Sequence, residues 1–138
     1  MTTLVYLVFG LLLVGIGQIS ALSEDEIREM AMALHNACLE ETEVEEQLVK
    51  NCIDGDFAED PKLKCYFKCL FVTVAVMDED TGEINLDTAE GMIPDEYKSL
   101  AVPILRGCGV VKGVDDCDTA FQTVKCWKAK APPGLKLM

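Results

Sequence analysis

The residues of this 138-residue chain whose types could do chemistry are seven cysteines and a single histidine. The cysteines are Cys38, Cys52, Cys65, Cys69, Cys108, Cys117 and Cys126. A thiol can serve as nucleophile, as metal ligand or as half of a disulfide. The first two uses lack their partners here. No serine or cysteine sits in a recognisable nucleophile motif, and no His/Cys cluster has zinc spacing. Glycine-rich phosphate loops are absent, and Asn36 follows His35 where a secreted phospholipase would carry an aspartate. His35 reads as a surface histidine, and acids such as Glu40 to Glu46 read as a solvated helix face. No catalysis, cofactor or metal is therefore expected, which leaves disulfides.

Disulfides need an oxidising compartment, and the N-terminus predicts one. Residues 1–21 hold no Asp, Glu, Lys or Arg, and an apolar run from Leu4 to Ile16 is followed by Gly17-Gln18-Ile19-Ser20-Ala21. That is a secretory signal peptide with cleavage near Ala21. The run falls short of the roughly 20 residues a membrane span needs, so no membrane insertion is expected. Residues 22–138 then form one small extracellular domain that holds all seven cysteines. The odd one pairs between chains or stays free, so the protein is a monomer or a homodimer. Net charge is −12. Nucleic acid is excluded as a partner, because phosphate binding needs a basic surface.

Helices must position these thiols. Ser23-Glu24-Asp25-Glu26 is a capping box, and Ile27, Met30, Ala31, Leu34 and Cys38 make one stripe of a helix running to about Leu39. Thr42-Glu43-Val44-Glu45 reads as a second box, opening a short helix with Leu48, Val49 and Cys52. Asp54-Gly55-Asp56 breaks the chain. Asp60-Pro61 then starts a central helix, apolar all round and running to about Met77, with Cys65 and Cys69 on nearly one side. Asp78 to Ile84 is a turn and not a calcium loop. With Gly82 as the obligatory glycine, the first and twelfth ligand positions fall on Met77 and Thr88. A fourth helix starts at Asp87-Thr88-Ala89-Glu90. A fifth runs from Pro94 to Gly107, with Pro103 expected to kink or split it. Asp115 or Asp116 caps a sixth, carrying Phe121, Val124 and Trp127, and Ala131-Pro132-Pro133-Gly134 ends it.

With Cys52 set aside, the spacing is Cys38-x26-Cys65-x3-Cys69-x38-Cys108-x8-Cys117-x8-Cys126. Spacing alone leaves fifteen pairings open, and a direct guess would bridge Cys108 to Cys117 across a turn. The five gaps together resemble the six-cysteine pattern of insect odorant-binding proteins, the pheromone- and general-odorant-binding family. Asp54-Gly55-Asp56-Phe57, Ile93-Pro94 and Cys126-Trp127 look like the family too. The resemblance implies the pairs Cys38–Cys69, Cys65–Cys117 and Cys108–Cys126. It also implies an all-α fold, a compact six-helix array stapled around a central hydrophobic cavity. Cys52 departs from the pattern. It reads as a buried free thiol, with an intermolecular disulfide as the alternative.

An empty pocket of even about 300 Å³ costs about 7 kcal/mol, and three disulfides at about 2–4 kcal/mol each can offset that. Candidate walls are the apolar stripes: Met30 and Leu34, then Phe67, Phe71 and Val74. Met92, Leu100 and Ile104 follow, with Phe121 and Val124. The resemblance puts Trp127 near a pocket mouth, and Tyr97 or Thr73 offers a hydroxyl to a ligand head. The tail, residues 131–138, brings Leu135 and Leu137 as a lid that acid would loosen by weakening carboxylate pairing with Lys128, Lys130 or Lys136. The resemblance implies a carrier of a small hydrophobic odorant or pheromone through aqueous lymph to a chemoreceptor. The alternatives are a carrier of a non-olfactory hydrophobic ligand and a secreted acidic interaction protein with a filled core.

Overall fold

A computed structural model of the chain describes residues 23–133. The expected signal peptide and the tail residues Leu135, Lys136 and Leu137 lie outside the described residues. Six helices occur among the described residues, and no strand: α1 Glu24–Thr42, α2 Glu46–Ile53, α3 Pro61–Thr73, α4 Leu86–Gly91, α5 Asp95–Cys108 and α6 Asp116–Lys130. None of them is long and apolar enough to cross a membrane. Contacts divide the chain within α1, after Met32. Up to that point α1 is a capped helical start. Glu26 N–H donates to Ser23 Oγ at 3.2 Å, and Ser23 N–H to Glu26 Oε2 at 2.8 Å. The rest of the fold lies in residues 33–133.

Short polar residues start the later helices by bonding the N–H groups that a first turn leaves free. Asp60 accepts from Leu63 N–H at 2.9 Å, with Pro61 at the first helical position. Asn85 accepts from Thr88 N–H at 3.1 Å, and Asp115 from Asp118 N–H at 2.8 Å. The Thr42–Glu45 box does not form. Thr42 Oγ1 donates back to Cys38 O at 2.7 Å, so that segment extends α1 by a turn, and Glu45 precedes α2 without a side-chain cap.

Helix α3 is the centre, and it differs from expectation twice. It ends at Thr73 and not near Met77. Ala75 takes a left-handed φ of 61°, Ala75 N–H bonds Val72 O at 3.1 Å, and Val76 N–H bonds Phe71 O at 2.8 Å. This pair is a Schellman stop, with Val76 buried beside the last turn. Met77 then bridges Ile84 across the turn, where Asp78 Oδ1 accepts from Asp80 and Thr81 N–H at 2.9 and 2.8 Å. Nor is α3 apolar all round. Leu63, Tyr66, Phe67 and Phe71 are its buried face, while Lys64 and Lys68 lie off it.

That face packs on α6, the most extensive helix pair of the fold. Phe67 and Phe121 stand 6.2 Å apart, and Phe57 touches both at 6.1 and 5.7 Å. Three disulfides hold the frame: Cys38–Cys69 joins α1 to α3, Cys65–Cys117 joins α3 to α6, and Cys108–Cys126 joins α5 to α6. Each matches the pairing that the family resemblance implied. Helix α5 passes Pro103 without splitting. Ser99, whose carbonyl loses its partner there, is exposed, where water can bond it.

Candidate ligand-binding site

The α3–α6 pair carries the richest apolar surface, and its two ends differ. At one end Phe67 and Phe121 are 1% and 0% exposed, packed on Phe57 and Leu63 as filled core. At the other, Phe71 lies against Trp127 with ring centroids 5.6 Å apart and planes tilted by 34°. Phe71 and Val124 are buried. Trp127, Val74 and Leu34 are half-buried against the same core. The indole Nε1–H of Trp127 is buried and has no hydrogen-bond partner among the described residues. Phe71 and Trp127 thus pack on each other, and Leu34, Val74 and Val124 belong to the same hydrophobic core.

The other expected wall residues are placed differently. Ile104 is half-buried on α5. Met30, Met92, Tyr97 and Leu100 are 60, 54, 48 and 43% exposed. Thr73 spends its hydroxyl on its own helix, donating to Cys69 O at 2.7 Å. It also borders a cavity of about 650 Å³ beside Lys68, Val72 and Glu79. A second cavity of about 560 Å³ lies among Glu83, Asp87, Arg106, Lys112 and Asp116. Its lining is mostly polar or charged, with only Ile84, Leu86 and Val110 as large apolar side chains, and Arg106 there is already engaged by Asp87 and Glu90. An apolar ligand gains little in such a place.

Residues that the stripes did not single out hold the first turns of α6 in place. Asp118 is buried and accepts from Val114 N–H at 2.9 Å, from Lys64 Nζ at 3.0 Å and from Gln122 Nε2 at 3.2 Å. These bonds hold its carboxyl below the usual carboxylate range, the Val114 N–H contributing most. Thr119 Oγ1 accepts from Gly113 N–H at 3.0 Å, and Thr123 Oγ1 from Val111 N–H at 3.1 Å. The 109–114 loop is thereby stitched to α6 beside Trp127's helix turn. The i, i+4 pairs Asp118–Gln122 and Thr119–Thr123 on one helix face are the signal that could have found this polar seam.

His35 is not a free surface histidine. Its side chain is 21% exposed; Nδ1 bonds Tyr66 Oη at 2.7 Å and Nε2 meets Glu46 Oε1 at 3.4 Å. That contact ties α1 to α2 and α3. The His35 bond, and after it Lys50, lowers the Glu46 carboxyl. Burial pushes the Tyr66 phenol up to about 12. Cys52 is fully buried and unpaired, and its thiol donates to Leu48 O at 3.3 Å.

A family model, the PBP/GOBP family, matches residues 20–130. General odorant-binding protein 69a of Drosophila melanogaster is 31% identical over 104 residues, which cover 75% of this chain and 68% of that protein. Odorant Binding Protein 7 from Anopheles gambiae, solved with four disulfide bridges and in complex with an azo compound, is 35% identical. It covers 79% of this chain and 88% of its own, with a TM-score of 0.68. Apis mellifera odorant binding protein 5 shares the fold at a TM-score of 0.73 with 23% identity, over 80% of this chain and 93% of that one.

Proposed function

The chain belongs to the PBP/GOBP family, and from that premise we propose that it is a secreted carrier of a small hydrophobic ligand, an odorant or pheromone. It is not an enzyme: its relatives are odorant-binding proteins, a non-enzymatic family. The mature domain, residues 22–138, takes the ligand from aqueous lymph to a chemoreceptor, and residues 1–21 direct its secretion. What most supports the reading is the match over residues 20–130 together with three disulfides in the family's pairing. The azo compound bound by the Anopheles gambiae protein points to a flat, largely apolar guest.

Binding draws on burial of apolar ligand surface, at roughly 25 cal/mol per Å² before the costs of association. The apolar side chains of Leu34, Phe71, Val74, Val124 and Trp127 supply the receiving surface, with Ile104 of α5. Met92, Tyr97 and Leu100 serve at its mouth, where their exposure lets a ligand meet them first. Release in acid belongs to the same reading, since protonating carboxylates would weaken any pairing with Lys128 or Lys130, although neither lysine makes an ion pair among the described residues.

The test is titration of the oxidised mature protein with the apolar fluorophore N-phenylnaphthylamine, followed by displacement with volatiles and lipids at neutral and mildly acidic pH. Saturable binding with selective displacement is expected, weaker in acid. A folded, ligand-free protein that binds no probe would instead be an interaction protein with a filled core. Equal affinity at both pH values would remove the acid release alone.

A further inference from the structure

The cavity of about 560 Å³ between the 81–87 turn, the end of α5, the 109–114 loop and the first turns of α6 has no part in the carrier reading. Its walls are held in place. Asn85 N–H bonds Val76 O at 2.7 Å on the side of the turn, and the loop is stitched to Asp118, Thr119 and Thr123. Gly82, at a φ of 72°, lies so close to α6 that a side chain there would run into the Asp116 carboxylate. Turn and helix thus fix that carboxylate at the edge of the cavity.

The polar groups of the lining are unevenly engaged. Arg106 is taken up by Asp87 and Glu90. Lys112 and Glu83 make no ion pair among the described residues, and Asp116 has only Lys68 Nζ at 3.8 Å, beyond hydrogen-bond reach. Thr119 adds a donor. Thr42, Thr73 and Thr123 each give their hydroxyl hydrogen to the carbonyl four residues back. Thr119 is 5% exposed; it accepts from Gly113 N–H at 3.0 Å and donates to no group among the described residues. A hydroxyl carries one hydrogen, and a buried one is ordinarily bonded. That of Thr119 is left for an occupant of the cavity it borders.

We propose that this cavity is a second binding site, separate from the apolar carrier surface, and that it takes a free α-amino acid with an apolar side chain. Lys112 Nζ and the Thr119 hydroxyl receive the carboxylate, Glu83 and Asp116 receive the ammonium, and Ile84, Leu86 and Val110 cover the side chain. Charge decides the class. A simple carboxylic acid would meet Lys112 but face Glu83 and Asp116 with nothing to pair them. A simple amine would leave Lys112 and Thr119 unused. A zwitterion uses both sets. Lys112 and Glu83 are exposed, and exposed ion pairs contribute little each, so the expected Kd is on the order of 1 mM. None of this rests on the carrier reading.

The experiment titrates isotope-labelled, oxidised mature protein with leucine, with isocaproate, which lacks the ammonium, and with isoamylamine, which lacks the carboxylate. Salt and pH are held fixed, and the amide resonances of Gly82, Lys112, Gly113 and Thr119 are followed. Saturable shifts with leucine are expected, with each analogue about tenfold weaker. Lys112→Gln and Glu83→Gln should each weaken leucine by about fivefold and leave N-phenylnaphthylamine affinity unchanged. Both side chains are exposed and unpaired, so neither substitution disturbs the fold. The proposal is overturned by no saturable shift at these amides by about 20 mM leucine. Equal binding of the three ligands, unaltered leucine affinity in both variants, or displacement of N-phenylnaphthylamine by leucine also overturns it. Leucine binding in a protein that binds no apolar probe would keep this site and remove the carrier.

Discussion

Asp118 is the sharpest test of how this domain is held together. Its carboxylate takes Val114 N–H, Lys64 Nζ and Gln122 Nε2 at 2.9, 3.0 and 3.2 Å, inside the α3–α6 interface. Asp118→Asn keeps the shape but removes the charge and turns one oxygen into a donor. One donor then faces another, and the surviving bonds fall from charge-assisted to neutral strength. At about 1.5–3 kcal/mol for a bond to a charged group against about 0.5–1.5 for a neutral one, the loss comes to about 2–4 kcal/mol. Urea unfolding followed through Trp127, the sole tryptophan, reads this directly. With a slope of about 2 kcal/mol per molar urea, the midpoint should fall by about 1–2 M at neutral pH. The pH dependence has a fixed sign. The native carboxyl lies below its unfolded value, so its stabilisation is complete above the unfolded value of about 3.9 and is lost as pH falls through the native one. The gap between wild type and variant should therefore close in acid. Equal midpoints at neutral pH, or a gap unchanged down to pH about 2, would refute the clamp.

Three further outcomes are expected. Replacing both cysteines of Cys65–Cys117, which spans 52 residues, should cost about 4 kcal/mol by loop entropy, against about 3 for Cys108–Cys126, which spans 18; denaturant midpoints of the two double-alanine proteins give the order. Cys52, whose thiol burial pushes up to about 11, with Asp56 adding to it, should resist thiol reagents in the native protein at neutral pH and react fully in denaturant. Its burial also makes the protein a monomer on a non-reducing gel, and a covalent dimer there would contradict that. Ala75→Gly relieves a left-handed φ of 61° and should raise stability by up to about 1 kcal/mol, with no change in probe binding.

Polar punctuation made the helix starts legible. Ser23, Asp60 and Asp115 each announce a helix by a side chain that bonds its first turn, and each does so in the structure. The helix ends were not legible for the same reason inverted. Helix α3 stops on Ala75, a residue that carries no breaking signal, because the stop is decided by Val76 burying itself against the last turn. Thr42 has the chemistry of a cap but is the last residue of α1, where bonding Cys38 O is the nearer choice. Fifteen cysteine pairings were open to spacing alone. A family pattern closed them, since Cys117 lies nearer in sequence to Cys108 yet joins Cys65 across 52 residues.

The site was legible only as faces, and the reason is general to apolar stripes. A stripe says which side of a helix avoids water, and says nothing of whether the facing element fills the space. Phe67 and Trp127 both lie on such sides. Phe57 and Phe121 close over Phe67, whereas Trp127 keeps a half-buried ring and an unpaired N–H. Filling versus receiving is thus decided by the partner across the gap, often from distant sequence. Phe57 precedes α3 altogether and still caps its core face. An unsatisfied donor is a stronger mark of a receiving surface than apolarity. Apolar groups gain from any apolar neighbour, but an N–H gains only from an acceptor in line with it.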